Sequence, residues 1–166
     1  MKDTRKMAEL RESTLGELLK LHIDVNEELR TRGVLRSNNN PTGDLTEYLF
    51  CLAFGWQQAP NSEKSFDATD SDGIRYQIKG RRVHRRNKSR QLSSIRDFSG
   101  FDFLAAALFD DSYKVSKAII LPAKCVVSRS VYVKHTNSYK FMLRDEVWAT
   151  PEAIDVTSKL CAAENS

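Results

Sequence analysis

The sequence predicts an α/β (α+β) fold, a central mixed β-sheet flanked by helices, on three observations. Apolar residues recur at helical spacing near both ends, two continuous apolar runs lie in the middle, and a strictly alternating stretch runs from Ile74 to Lys79. These patterns give helices, central strands and a half-buried strand respectively. The 166 residues suit one domain with a single sizeable core, read as 1–166 with 1–36 as an N-terminal helical extension.

The charged residues before Glu12 read as a frayed helix or a tail. Leu15, Leu18, Leu19, Val25 and Leu29 predict an amphipathic helix that starts at Ser13 or Thr14 and ends at Gly33. His22 falls within its apolar stripe and reads as a hydrogen-bonded core histidine. Asn38 to Gly43 is a loop, and Asp44 to Phe54 predicts a buried helix, apolar on nearly every side. The runs Phe101–Phe109 and Ala118–Leu121 suit central strands covered on both faces, with Asp110, Asp111 and Ser112 as turn residues between them. Pro122 to Ser130 reads as a short helix, and Tyr139, Phe141 and Leu143 as the inner face of a strand. Thr150, Pro151 and Glu152 start a C-terminal helix that runs through about Cys161.

The alternating stretch is the second strand of a hairpin. Ile74, Tyr76 and Ile78 point one way, and Arg75, Gln77 and Lys79 the other. A loop closed by Asp70 and Ile74, with Gly73 in a left-handed conformation, sets Asp67 opposite Gln77 and on one face with Lys79. A two-residue loop at Asp72 and Gly73 would shift the register by one and send Asp67 to the other face. Asp67 is preferred to Asp72 as a metal ligand because Asp before Gly at a turn tip serves the backbone. Glu47 stands alone as a carboxylate in the apolar helix, where an ionised acid needs a cation or good donors. It is a site residue, the third helical position of a capping pair with Asp44, or both, since a carboxylate there can also lean into a metal site.

The net charge is +4, yet eight of the 26 Lys and Arg lie between Lys79 and Arg96 with no acid among them. An acidic body with one basic arm suits a polyanion. Cys51, Cys125 and Cys161 lack paired spacing and read as reduced. No apolar run approaches a membrane span, and the charged start differs from a signal peptide, so a cytoplasmic protein with no membrane partner is expected.

Taken together, Gly43 and Glu47 on a helix, Asp67 on a strand, then Gln77, Ile78 and Lys79 on the next strand resemble the PD-(D/E)XK nuclease superfamily. The resemblance covers about 43–121, the motif-bearing core. It implies a restriction-endonuclease-like core, a divalent metal (Mg2+ or Mn2+), and hydrolysis of phosphodiester bonds, in DNA more often than RNA. Glu47, Asp67, Gln77 and the Ile78 carbonyl would hold the metal, and Lys79 would complete the catalytic set. Arg81, Arg82, Arg85, Arg86, Lys88 and Arg90 would grip nucleic-acid phosphates. Two departures stand out: Phe66 occupies the place of the motif proline, and Gln77 that of the second acid. An amide oxygen brings no charge to a hard cation, so Glu47 must compensate. The alternatives are a non-catalytic nucleic-acid-binding protein with a nuclease-like fold, or a subunit whose arm docks an acidic protein. Two-strand cleavage would favour a homodimer.

Overall fold

A computed structural model describes residues 2–165, with side-chain surroundings from Lys6 onward. The chain divides into two compact units, Met1–Asn39 and Asn40–Ser166. The first carries α1 (Lys2–Glu12) and α2 (Leu15–Thr31). Thr14 caps α2: the Glu17 N–H donates to its Oγ1 (3.3 Å) and the Thr14 N–H donates to the Glu17 carboxylate (2.7 Å). Gly33, at φ +74°, follows the helix end. No residue of α2 is buried. Leu15, Leu19, Leu21, Ile23 and Val25 are exposed, and so is His22, whose Nε2 lies 3.2 Å from Asn26 Nδ2 one turn on. The expectation of a core histidine is corrected: an amphipathic pattern specifies a face but not its cover.

The second unit runs α3 (Pro41–Phe54), β1 (Gln57–Gln58), β2 (Ala68–Thr69), β3 (Arg75–Arg82), β4 (Phe103–Phe109), β5 (Val115–Pro122), α4 (Ala123–Arg129), β6 (Val131–Val133), β7 (Ser138–Lys140), β8 (Ile154–Asp155) and α5 (Thr157–Glu164). Six strands form one mixed sheet in the order β1-β2-β3-β4-β5-β8, and β6 pairs with β7 separately. Among the described residues, β3 and β4 are the one parallel pair. This is the expected α+β architecture of a mixed sheet flanked by helices. Among the described residues, no helix is long and apolar enough to cross a membrane.

The hairpin takes the three-residue loop. Asp70 N–H donates to the Ile74 carbonyl (3.1 Å), Gly73 sits at φ +78°, and Ala68 faces Tyr76.

Two helix starts differ from expectation. α3 begins at Pro41, with Asn40 as its cap accepting the Thr42 N–H (3.0 Å); proline at the first helical position lacks only an N–H that would have no intrahelical partner. Asp44 therefore is not the cap, and Glu47 lies two turns into the helix. At the other end, Pro151 starts no helix. Ile154 and Asp155 pair with Ile120 and Ile119 on the free edge of β5, and α5 begins only at Thr157. Sheet pairing there outranks the local proline signal.

The sheet is covered on both faces. On one, Leu49 and Phe50 of α3 and Leu160 of α5 pack over Tyr76, Ile78, Ala105, Ala107 and Phe109. On the other, Val126 of α4, with Leu92, Ile95, Phe141 and Leu143, packs over Leu104, Ala106, Ile119 and Leu121. The β3–β4 connection contains no helix and is pinned instead to the 139–143 segment, Leu92 N–H donating to the Phe141 carbonyl (3.0 Å) and Ile95 exchanging bonds with Tyr139. Stacked rings join Phe54, Trp56, Tyr76 and Phe103, with 3.7 Å between the Trp56 and Tyr76 centroids.

Burial pushes the Tyr76 hydroxyl up to about 12, assisted by its hydrogen bond to Asp70 Oδ2 (2.9 Å). An acid whose folded pKa exceeds its unfolded value near 10 contributes stability that is whole below pH 10 and is lost as pH rises towards 12. Urea unfolding across that window is expected to show a steeper loss for the wild type than for Tyr76→Phe. Parallel curves would mean the phenol carries no folding-linked titration.

Candidate active site

β2 is two residues long and stops at Ala68, so β3 has an open edge beyond Tyr76. Asp67 occupies the end of that edge. Its own N–H donates to the Tyr76 carbonyl (2.8 Å) and its carbonyl accepts from Ala59 (2.9 Å). Its Oδ2 accepts both the Ile78 N–H (2.6 Å) and a hydrogen from Gln77 Nε2. The carboxylate therefore stands in for the strand partner that Ile78 lacks. Oδ1 of Asp67 has no hydrogen bond among the described residues. Because the N–H and C=O of one strand residue project to the same side, the Ile78 carbonyl also faces this open edge.

A cavity of about 480 Å3 lies along the edge and is walled from both sides of the sheet. Ile78 and Gly80 face α3, while Lys79 and Arg81 alternate to the opposite side. Glu47 of α3, Asp67, Ile78, Lys79, Arg81 and Arg82 all border the cavity. One Glu47 oxygen accepts from Gln58 Nε2 (2.8 Å). Lys79 has no hydrogen bond or ion pair among the described residues. Gln77 is buried behind Asp67 and does not border the cavity; its amide orients the carboxylate.

The close fit of α3 to β3 depends on Gly80. A Cβ there would lie 1.9 Å from Thr46 Oγ1 and 3.1 Å from the Thr42 carbonyl. Thr46 is wholly buried and donates back to the Thr42 carbonyl (2.5 Å). Glu47 follows it directly, so this contact sets how near the helix carboxylate comes to the strand.

The basic arm is a finger continuing β3. His84 and Asn87 exchange backbone hydrogen bonds (3.0 and 2.9 Å) around a two-residue tip of Arg85 and Arg86. Arg81 Nε donates to the Ser89 carbonyl (3.1 Å), tying the returning chain to the strand. Arg86 and Lys88 are exposed and without ion pairs among the described residues. Arg82 and Arg85 both reach Asp111 (3.5 Å each), and the Arg82 guanidinium lies 4.6 Å from the centre of the Tyr113 ring. Arg90 is directed elsewhere: it pairs with Asp145 (2.8 Å), which Lys117 also contacts (2.5 Å), beside a second, smaller cavity. Those two cations hold the Asp145 carboxyl below the usual range, Lys117 more than Arg90.

Sequence reasoning missed Asn40, Thr42, His84 and Tyr113 on the cavity wall, and Asp111 as the counter-charge to the finger. The Asn40-Pro41 pair was a readable helix start that would have brought Asn40 and Thr42 to the site. Asp111 and Tyr113 carried no local signal. Among the described residues, no group of three or more His, Cys, Asp and Glu side chains converges. Compared with protein-family models and with curated proteins, the chain matches none.

Gly80→Ala is expected to lower unfolding free energy by roughly 1–3 kcal/mol through overpacking. Thr46→Ala in the same chain should recover part of the loss, because it removes the nearest clashing atom. Urea titrations of both single variants and the double variant read the coupling. Strict additivity would mean the helix and strand do not meet through this pair.

Proposed function

We propose that the chain is a metal-dependent nuclease hydrolysing phosphodiester bonds, with DNA as its substrate, as the resemblance to PD-(D/E)XK nucleases implies. One observation carries the reading: Asp67, Glu47, the Ile78 carbonyl and an uncommitted Lys79 converge on one cavity at the root of a basic finger. The donor set fits a magnesium-type ion. It consists of hard oxygens, two of them carboxylates, and such ions typically bind through one or two carboxylates together with substrate phosphate. When bound, the ion would supply charge neutralisation at the phosphate and a more acidic water.

The rest of the reaction belongs to the chain. Gln77 and the Ile78 N–H hold Oδ2 of Asp67, leaving Oδ1 of this cavity-lining carboxylate for the ion without rearrangement. The Lys79 ammonium offsets negative charge growing on the non-bridging phosphate oxygens and orients the attacking water. Arg81, Arg86 and Lys88 contact flanking phosphates, with Arg85 and Arg82 doing so in competition with Asp111. Arg90 serves the fold through Asp145.

A second reading, a nucleic-acid binder without catalysis, is favoured by the neutral Gln77 and the lack of a third carboxylate among the described residues. Incubating the protein with supercoiled plasmid separates the two. Nicking that requires magnesium or manganese, stops with EDTA and falls at least a hundredfold in Lys79→Ala is the expected result. Binding without cleavage in either metal would select the second reading. Reversing charge at Arg85 and Arg86 together is expected to weaken duplex binding and flatten its log–log salt dependence by about one to two, since each lost phosphate contact removes about 0.9. An unchanged slope would take the fingertip out of binding.

A further inference from the structure

Two hairpin loops in this unit share one geometry. In each, an aspartate Oδ1 accepts the N–H groups two and four residues on: Asp70 from Asp72 and Ile74 (3.0 Å each), and Asp110 from Ser112 (2.8 Å) and Lys114 (3.0 Å). In each, the aspartate N–H closes the loop onto the carbonyl four residues later (3.1 and 2.8 Å). In each, the fourth residue is left-handed. That residue is Gly73 at φ +78° in the first loop and Tyr113 at φ +63° in the second. Glycine adopts this conformation freely, whereas an aromatic side chain there is strained. The turn itself gives no reason for tyrosine, so the reason lies in what the side chain does.

The ring lies beneath the Arg82 guanidinium and contacts Phe109 at a centroid distance of 6.3 Å. A phenylalanine would make both contacts. The hydroxyl sets tyrosine apart: it reaches the α3 wall of the cavity, where Thr42 Oγ1 lies 3.5 Å away but gives its short bond to Asn40 (2.6 Å). With that hydrogen committed, Thr42 Oγ1 offers the phenol only a long contact as acceptor, and among the described residues no short hydrogen bond holds the phenolic hydrogen. The group thus presents an O–H donor to the cavity, held in place by a strained backbone and a stacked cation.

We propose that Tyr113 is a substrate-contacting residue that donates its hydroxyl hydrogen to a nucleic-acid phosphate next to the one facing Lys79. The inference rests on the nuclease reading. A hydrogen bond to a charged phosphate oxygen is stronger than one to a neutral acceptor.

The test is fluorescence anisotropy of a labelled DNA duplex, with calcium as the hard cation, for the wild type, Tyr113→Phe and Tyr113→Gly, alongside thermal melts. The phenylalanine variant keeps the ring, the strain and the Arg82 stack. It is expected to melt with the wild type yet bind about tenfold more weakly, the loss of one hydrogen bond to a charged group. The glycine variant is expected to bind at least as weakly while keeping the turn. Wild-type affinity in Tyr113→Phe, with a loss only in Tyr113→Gly, would overturn the inference and reduce Tyr113 to a support for Arg82. Wild-type affinity in both would overturn it as well. Absence of binding by the wild type would overturn the nuclease reading and this inference together.

Discussion

A strand edge that loses its neighbour leaves backbone groups to be satisfied, and at Ile78 that duty falls to the Asp67 carboxylate. The site is organised by this one bond. It fixes Oδ2, which leaves Oδ1 without a protein donor among the described residues, and it occupies the edge beyond the last β2–β3 pair, where the Ile78 carbonyl faces the cavity. Gln77 adds a second donor from beneath. A residue that in many hairpins would be one more rung of the ladder is here its terminus, and the cavity exists because the ladder stops.

The opposite wall is set by a contact with no chemistry of its own. Gly80 lets Thr46 sit against the strand, and Glu47 is carried in beside it. The cavity is therefore bordered by groups from both faces of the sheet, brought together at its rim rather than on one surface. This explains why Lys79 and Glu47 share a site although strand alternation sends Lys79 away from the helix.

Much of the arrangement was readable from the chain. The Asp70 and Gly73 pattern specified the loop, the loop specified the register, and the register brought Asp67 to Gln77. The apolar runs specified β4 and β5 as central strands. What escaped was set by distant partners. Asp155 and Ile154 became strand because β5 had an edge to offer. Arg90 left the arm because Asp145, 55 residues away, captures it, and Arg82 and Arg85 acquired Asp111 from the next hairpin. Tyr113 was illegible for another reason, since its backbone runs against its own preference and propensity reasoning steers away from it.

The continuity of β3 has a metrical consequence. Lys79 lies on the strand that runs on through Arg82 into the bonded turn at His84 and Asn87, so the distance from ammonium-bearing residue to fingertip is inelastic. Six residues of extended chain reach at most about 20 Å. On the proposed nuclease reading, a polyanion lying along β3 would meet Lys79 and the fingertip at two points whose separation the strand itself sets, as a ruler would.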